Sequence, residues 1–192
     1  SFRFLNAYPR PFFNYMRKNP RRLNVTAHCM ISSGSPFNQA RHVHKKQALT
    51  AEITNYRWKQ KLGSKVPVIT PEEAAKVFKR NMKKADLSVF EYYLTDYAGH
   101  RRYDGPVHEL CEILDRFLFH LVTNFDNEND TLLICSDHGN YEDIYIKTHT
   151  LNPSMFMAFG KHAHAAHRDI KDLTHIKNFI FNAMQKDEKT PA

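Results

Sequence analysis

Hydrophobic residues recur along this chain at two spacings, one typical of buried strands and one typical of helices. Short runs of mainly apolar residues predict strands over residues 2–7, 87–94, 131–135 and 155–159. Apolar residues three or four positions apart predict helices over residues 11–18, 70–84, 106–124 and 173–185. Because strands and helices alternate, we predict an α/β fold in which a mostly parallel sheet carries helices on both faces.

The clearest local signal marks the start of the helix predicted over residues 70–84. Thr70 can cap the helix, Pro71 suits its first position, and Glu73 completes a capping box. Two segments predict surface loops from their composition, and these are residues 29–38 and the His-rich residues 161–168. An auxiliary metal or phosphate site is the alternative for the His-rich segment.

The length and composition are those of one folded domain. The chain has 192 residues, of which 42% are hydrophobic and 25% charged, which excludes collagen-like, low-complexity and disordered proteins. We therefore expect a single α/β domain over residues 1–192. There is no run of about 18 or more apolar residues and no segment that resembles a secretion signal, so we expect a cytoplasmic protein that does not enter a membrane.

The net charge of +8 favours anionic ligands, either phosphate esters or nucleic acid. The excess of lysine and arginine lies mostly in residues 1–84, as scattered pairs that are typical of a solvated surface. No recognised nucleic-acid-binding motif accompanies them, so we expect no nucleic-acid partner. Salt-dependent binding to an oligonucleotide without any metal requirement would favour that class instead.

Cysteine usage points away from disulfide or zinc-knuckle architecture. The three cysteines, Cys29, Cys111 and Cys135, are widely spaced and odd in number. Such spacing supports neither a disulfide framework nor a zinc knuckle, so we predict three buried, reduced thiols.

Aspartate and histidine follow the predicted strands in three segments, which are Asp96–His100, Asp137–Glu142 and His149–Pro153. In an α/β sheet the carboxyl ends of the strands meet at one edge, so these segments can converge there. Imidazole and carboxylate together suit Zn²⁺ or Mn²⁺ better than Ca²⁺. Gly99 and Gly139 lie beside the candidate ligands, where a close approach of the backbone needs a residue without a Cβ.

These three segments resemble the metal-binding motifs of the alkaline phosphatase superfamily. The chain contains D-x-x-G-H, S-D-H-G-N-x-E and H-T-x-N-P in that order. The nearest branch is that of the cofactor-independent phosphoglycerate mutases and related metalloenzyme-domain proteins, which the segments Phe4–Pro9 and Phe90–Tyr92 also resemble. The resemblance is strong over residues 87–160 and weak between residues 20 and 65.

The resemblance implies an alkaline phosphatase-like fold with two divalent metal ions, Mn²⁺ or Zn²⁺. The implied ligands are Asp96, His100 and His149 for one ion, and Asp137 and His138 for the other. In the family, a hydroxyl nucleophile accepts the phosphoryl group while the metals stabilise the attacking and leaving oxygens. This implies phosphoryl transfer or phosphate-ester hydrolysis on a small phosphorylated metabolite. Arg101 and Arg102 are candidates for binding the substrate's phosphate or carboxylate, and simple surface charge is their alternative.

The chain departs from the family pattern in two places. The family's first strand, with its metal-binding Asp and the nucleophile that follows, is expected before residue 1. We therefore expect this chain to be the C-terminal portion of a larger domain, incomplete at its N-terminus and without the nucleophile. Ser32, Ser33 and Ser35 lack a preceding metal-type Asp and are not assigned that role. The segment Pro153–Met155 replaces the family's usual Pro-Val-Pro, which changes the loop after His149.

Two functions therefore remain open from the sequence. One is a metal-dependent enzyme acting on a phosphate ester, with mutase and hydrolase undecided. The other is a catalytically inactive metal-binding or regulatory fragment of such an enzyme. The substrate, the choice of metal and the oligomeric state are likewise undecided.

Overall fold

The computed structural model describes residues 1–188, with side chains as far as residue 185. Along this part of the chain the elements are β1 (Phe2–Phe4), β2 (Asn6–Ala7), α1 (Arg10–Lys18), α2 (Val25–Ser32), α3 (Ala40–His44), β3 (Leu49–Thr50), α4 (Tyr56–Leu62), α5 (Pro71–Met82), β4 (Leu87–Val89), α6 (Leu94–Gly99), α7 (Val107–Val122), β5 (Thr131–Cys135), β6 (Phe156–Gly160), α8 (Ala163–Asp169) and α9 (Leu173–Glu188). Among the described helices, none is long and apolar enough to cross a membrane.

The chain divides into two compact units. Unit 1 comprises Ser1–Tyr97 and Tyr103–Leu121, and unit 2 comprises Ala98–Arg102 and the residues from Val122 onward. The chain passes from one unit to the other within helix α6, between Arg102 and Tyr103, and at the end of helix α7.

Unit 1 contains two short pairs of parallel strands. Strand β1 pairs with β4, and strand β2 pairs with β3. The capping box at the start of α5 is formed as predicted, because Glu73 N–H donates to the Thr70 hydroxyl and Thr70 N–H donates to the Glu73 carboxylate. The buried apolar side chains of this unit include Leu5, Met30, Leu49, Ile53, Val66, Phe78, Leu110 and Phe117.

Unit 2 is built on an antiparallel pair of strands. Strands β5 and β6 run with Thr131 opposite Gly160 and Cys135 opposite Phe156. Helices α8 and α9 pack on this pair through a cluster that includes Ala166, Ile170, Phe179, Leu133, Phe156 and Ile176. Residues 136–155 connect the two strands, and this connection carries the second and third candidate metal-binding segments.

The α/β class is confirmed, and the predicted helices and most predicted strands are present. The described residues form three separate strand pairs, so the prediction of one mostly parallel sheet with helices on both faces is not confirmed. The strand predicted over residues 87–94 ends at Val89, since beyond it the backbone of Glu91 hydrogen-bonds to the side chain of Asn6, and helix α6 begins at Leu94.

Two segments predicted as loops are helical instead. Residues 29–32 belong to helix α2, which starts where the side chain of Asn24 accepts a hydrogen bond from Ala27 N–H. Most of the His-rich segment 161–168 lies in helix α8, whose Ala166 is buried in the cluster of unit 2. In both cases a small buried face, rather than a long apolar stripe, holds the helix in place.

The prediction that the three cysteines are buried is wrong. Cys29, Cys111 and Cys135 are exposed, and none of the three forms a disulfide within the described residues. Cys29 lies on α2, Cys111 on α7 and Cys135 at the end of β5, each on a surface that the rest of the chain leaves uncovered.

Candidate metal centre

Three histidine rings of unit 2 lie against one another. The Nε2 atoms of His100 and His149 are 3.3 Å apart. The rings of His138 and His149 stack with their centroids 3.5 Å apart and their planes 15° from parallel. The structure therefore brings together three of the predicted ligands from the turn after α6 and from two points in the β5–β6 connection.

His100 is oriented by a backbone carbonyl. Its Nδ1 lies 2.6 Å from the carbonyl oxygen of Lys147. Because a carbonyl oxygen can only accept, Nδ1 carries a proton, which leaves Nε2 as the ring nitrogen that can bind a metal ion. Nε2 of His100 faces Nε2 of His149, at a distance at which the two atoms can either hydrogen-bond or share a metal ion.

Asp96 is the remaining ligand predicted for the first ion. It lies on helix α6, four residues before His100, which is in the turn that follows the helix. A carboxylate oxygen of Asp96 and a ring nitrogen of His100 lie within 4.8 Å of each other. The part of Asp96 in the metal site stays a prediction.

Asp137 and His138 form a second, neighbouring pair. Asp137 Oδ2 lies 3.4 Å from His138 Nε2, and the side chain of Asp137 is 82% exposed whereas that of His138 is 27% exposed. The carboxylate of Asp137 therefore points to solvent while the ring of His138 packs on His149. This places a second oxygen and nitrogen donor beside the first group.

Glu142 organises the loop that carries these ligands, a role that the sequence did not reveal. Its carboxylate accepts hydrogen bonds from Asn140 N–H at 2.6 Å, from the Asn152 amide at 3.0 Å and from the Thr150 hydroxyl. These hydrogen bonds, chiefly that from Thr150, lower the pKa of Glu142 to about 2. The ionised carboxylate thus ties the segment after His138 to the segment after His149.

Gly139 lies next to the Glu142 carboxylate, at a position where a side chain would not fit. A Cβ at Gly139 would overlap the Thr150 hydroxyl and lie 2.7 Å from Glu142 Oε1. The backbone also closes here, since Thr150 N–H donates to the carbonyl of Gly139 at 2.9 Å. The predicted need for a residue without a Cβ is confirmed at this position.

Gly99 meets the same requirement in the turn that carries His100. A Cβ at Gly99 would overlap the carboxamide oxygen and carbon of Asn140, far inside the 3.0 Å that real Cβ atoms keep. Asn140 is only 3% exposed, and its amide has no hydrogen-bond partner among the described residues. The contact between Gly99 and Asn140 therefore packs the first motif directly on the second.

Arg101 and Arg102, the predicted substrate-binding residues, have different surroundings. The guanidinium of Arg101 donates to the carbonyl oxygen of Ile144 at 3.2 Å and to that of Tyr145 at 2.8 Å. Arg102 is exposed to solvent. Their role in anion binding stays a prediction.

The spacing of the histidine nitrogens fits a metal ion. Two imidazole nitrogens bound to Zn²⁺ at their usual bond lengths in a tetrahedral site are about 3.3–3.4 Å apart. The separation of the His100 and His149 Nε2 atoms is 3.3 Å. The donor types, two imidazoles with a carboxylate beside them, are those of zinc and manganese sites.

Comparison with known protein families agrees with this donor set. The family described as the Metalloenzyme superfamily matches residues 59–187, which is about two thirds of the chain. The chain belongs to the Metalloenzyme superfamily. This confirms the resemblance to alkaline phosphatase-like metalloenzymes, and membership implies binding of divalent metal ions.

Several curated relatives of this superfamily member are phosphoglycerate mutases. The chain is 34% identical over 98 residues to the 2,3-bisphosphoglycerate-independent phosphoglycerate mutase of Acaryochloris marina, covering 45% of this chain and 18% of the relative. It is 28% identical over 102 residues to that of Ehrlichia canis, covering 46% and 20%. It is 27% identical over 121 residues to that of Ehrlichia ruminantium, covering 58% and 24%. The chain thus spans a quarter or less of these relatives, and no solved structure matches it.

Proposed function

We propose that this chain takes part in divalent-metal-dependent phosphoryl transfer or phosphate-ester hydrolysis on a small phosphorylated metabolite. The observation that carries the proposal is the convergence of His100, His138 and His149 in a member of the Metalloenzyme superfamily. Imidazoles brought together beside carboxylates are a donor set typical of divalent metal sites.

The first ion would be held by Asp96, His100 and His149. The hydrogen bond from His100 Nδ1 to the carbonyl of Lys147 supports this ligand set, because it leaves Nε2 as the donor nitrogen. Asp96 supplies the negative charge that two neutral imidazoles lack. Mn²⁺ and Zn²⁺ are the ions that we propose for this mixed nitrogen and oxygen site.

The second ion would be held by Asp137 and His138. Bound there, a second ion would supply positive charge that stabilises phosphoryl oxygens and lowers the pKa of an attacking hydroxyl. Glu142 would hold the metal ligands in place by fixing the loop between His138 and His149. Arg102, which is exposed beside His100, remains our candidate for contacting an anionic substrate.

A phosphorylated substrate is supported by the names of the relatives and by charge. The mutases of Acaryochloris marina and Ehrlichia canis act, by their names, on phosphoglycerate. The chain itself carries a net charge of +8, which raises the local concentration of anions. We extend to this chain only the substrate class, a small phosphate ester.

A catalytically inactive metal-binding or regulatory role is the second candidate. The observation in its favour is that the proposed second site has two donors from adjacent residues, Asp137 and His138, whereas protein metal sites commonly use three or more. In that case metal would raise the unfolding temperature of the chain without producing turnover.

Turnover assays would distinguish the two candidates. The chain, by itself and joined to an N-terminal segment that carries the expected nucleophile, is loaded with Mn²⁺ or Zn²⁺ and incubated with phosphoglycerate and with p-nitrophenyl phosphate, and isomerisation and phosphate release are measured. The proposal predicts activity that His149→Ala abolishes and that His175→Ala leaves unchanged, since His175 pairs with Asp172 on another part of unit 2. Metal binding without turnover of either compound would favour the inactive role.

A further inference from the structure

Arg101 adopts a backbone conformation that normally belongs to glycine. Its φ of 56° lies in the left-handed region, directly after the end of helix α6 and the turn at His100. Helices commonly end with glycine in this conformation, because a Cβ makes it unfavourable. A side chain that remains at such a position despite the strain is a candidate for a specific role.

The side chain of Arg101 holds the loop that leads to His149. Its Nε and Nη2 donate to the carbonyl oxygens of the consecutive residues Ile144 and Tyr145. Two residues further along, the carbonyl of Lys147 accepts from His100. Three of the four carbonyls in Ile144–Lys147 are therefore bound by two neighbouring residues of the turn after α6.

This loop has little else to fix it. The side chains of Ile144, Tyr145 and Ile146 are 43%, 83% and 44% exposed, so they anchor the loop poorly in a hydrophobic core. The hydrogen bonds made by Tyr145 N–H and Ile146 N–H go to Asp143, inside the loop itself. The position of the segment before His149 thus depends on the hydrogen bonds from the turn.

We propose that Arg101 is a positioning residue that holds the segment 144–147 so that His149 faces His100. The inference rests on the proposed metal site, because its consequence is the placement of a metal ligand. A planar guanidinium can donate to two consecutive carbonyls in a fixed geometry, whereas the ammonium group of lysine offers no such fork. This explains an arginine, rather than glycine or lysine, in the left-handed position.

The test compares Arg101→Gly with two matched controls. Lys46→Gly makes the same change at another left-handed residue, where φ is 54°. Arg102→Ala removes the neighbouring exposed charge. Hydrogen–deuterium exchange of the amides of residues 144–150 is measured without metal, and Mn²⁺ and Zn²⁺ affinities are measured by calorimetry.

We expect Arg101→Gly to speed exchange in this loop by about tenfold or more and to weaken metal binding by about 10- to 100-fold, as loss of an outer-shell partner typically does. The unfolding temperature of Arg101→Gly should stay near that of the wild type although its metal affinity falls, because glycine relieves the strain of the left-handed backbone. Arg101→Lys should lie between the wild type and Arg101→Gly. Lys46→Gly should leave both the exchange and the metal affinity unchanged, and Arg102→Ala should leave the exchange unchanged.

Equal exchange and equal metal affinity in Arg101→Gly and the wild type would overturn the inference. The inference would also be overturned if Arg102→Ala lost as much metal affinity as Arg101→Gly and exchanged as fast, since the effect would then come from charge alone. If the wild-type chain binds no metal, the proposed function fails by itself, and the exchange measurement still decides whether Arg101 fixes the loop.

Discussion

Substituting Gly99 by alanine tests whether the first two motifs pack on each other as described. The new methyl group would overlap the carboxamide of Asn140, a side chain that is only 3% exposed and so has little room to move. Overpacking of this kind costs up to about 3 kcal/mol. Alanine is the better helix former at the end of α6 and recovers up to about 1 kcal/mol. The net expectation is a loss of about 2 kcal/mol in the free energy of unfolding.

Asn140→Ala supplies the partner variant for a double-mutant cycle. Removing the amide leaves a small cavity but also removes a buried polar group that has no hydrogen-bond partner among the described residues, so the two effects offset to within about 1 kcal/mol. The atoms of Asn140 other than its carboxamide oxygen and carbon lie at least 3.2 Å from the new methyl position. The methyl group therefore fits once the amide is gone.

The assay is chemical denaturation of the wild type, the two single variants and the double variant. The overlap predicts that Asn140→Ala rescues Gly99→Ala, with a coupling energy of about 2 kcal/mol. A coupling below about 0.5 kcal/mol, which is typical of independent sites, would refute the close packing of Gly99 on Asn140.

Three further predictions concern stability. Glu142 has a pKa lowered to about 2 in the folded chain, so its hydrogen bonds stabilise the fold above its ordinary pKa of 4.5 and are lost as the pH falls towards 2. Glu142→Gln should therefore flatten the loss of stability between these pH values, as measured by denaturation at a series of pH values. An unchanged profile would contradict the role of the carboxylate. Gly160→Ala should destabilise unit 2 by about 2 kcal/mol or more, because φ at this position is 88° and the new methyl group would overlap the backbone carbonyl oxygen of Asp130. An unfolding temperature equal to that of the wild type would exclude this contact. Thr70→Ala should cost about 1 kcal/mol by denaturant titration while Thr70→Ser restores most of it, and equal stability of all three chains would argue against the capping box.

Local signals in the sequence predicted the local structure well. The capping box of Thr70 and Glu73 gave the start of α5, and the apolar run at residues 131–135 gave the bounds of β5. Helix α2 was missed because its main signal, the capping residue Asn24, also occurs in turns. The pairing of β5 with β6 across a twenty-residue connection could not be read from the sequence, since strand pairing depends on contacts between distant residues.

In the candidate site, too, local features could be predicted from the sequence, whereas contacts that form only in the folded loop could not. The proximity of His100, His138 and His149 could be predicted from the order of their segments, and the glycines from the need for close approach, whereas the role of the Asp and His residues as metal ligands stays a prediction. The role of Glu142 depends on three donors converging in the folded loop, and that of Arg101 depends on a left-handed backbone and the direction of two carbonyls. Neither feature leaves a periodic pattern in the sequence.

Direct titration with metal ions tests the central claim of this account. The metal-stripped chain is titrated with Mn²⁺ and with Zn²⁺ by calorimetry, in parallel with Asp96→Ala, Asp137→Ala and the control His175→Ala. We expect the wild type and the control to bind tightly, and each aspartate variant to bind more weakly or to lose a binding event. Binding no stronger than background in the wild type, or equal binding in all four chains, would show that the three motifs do not form the proposed site.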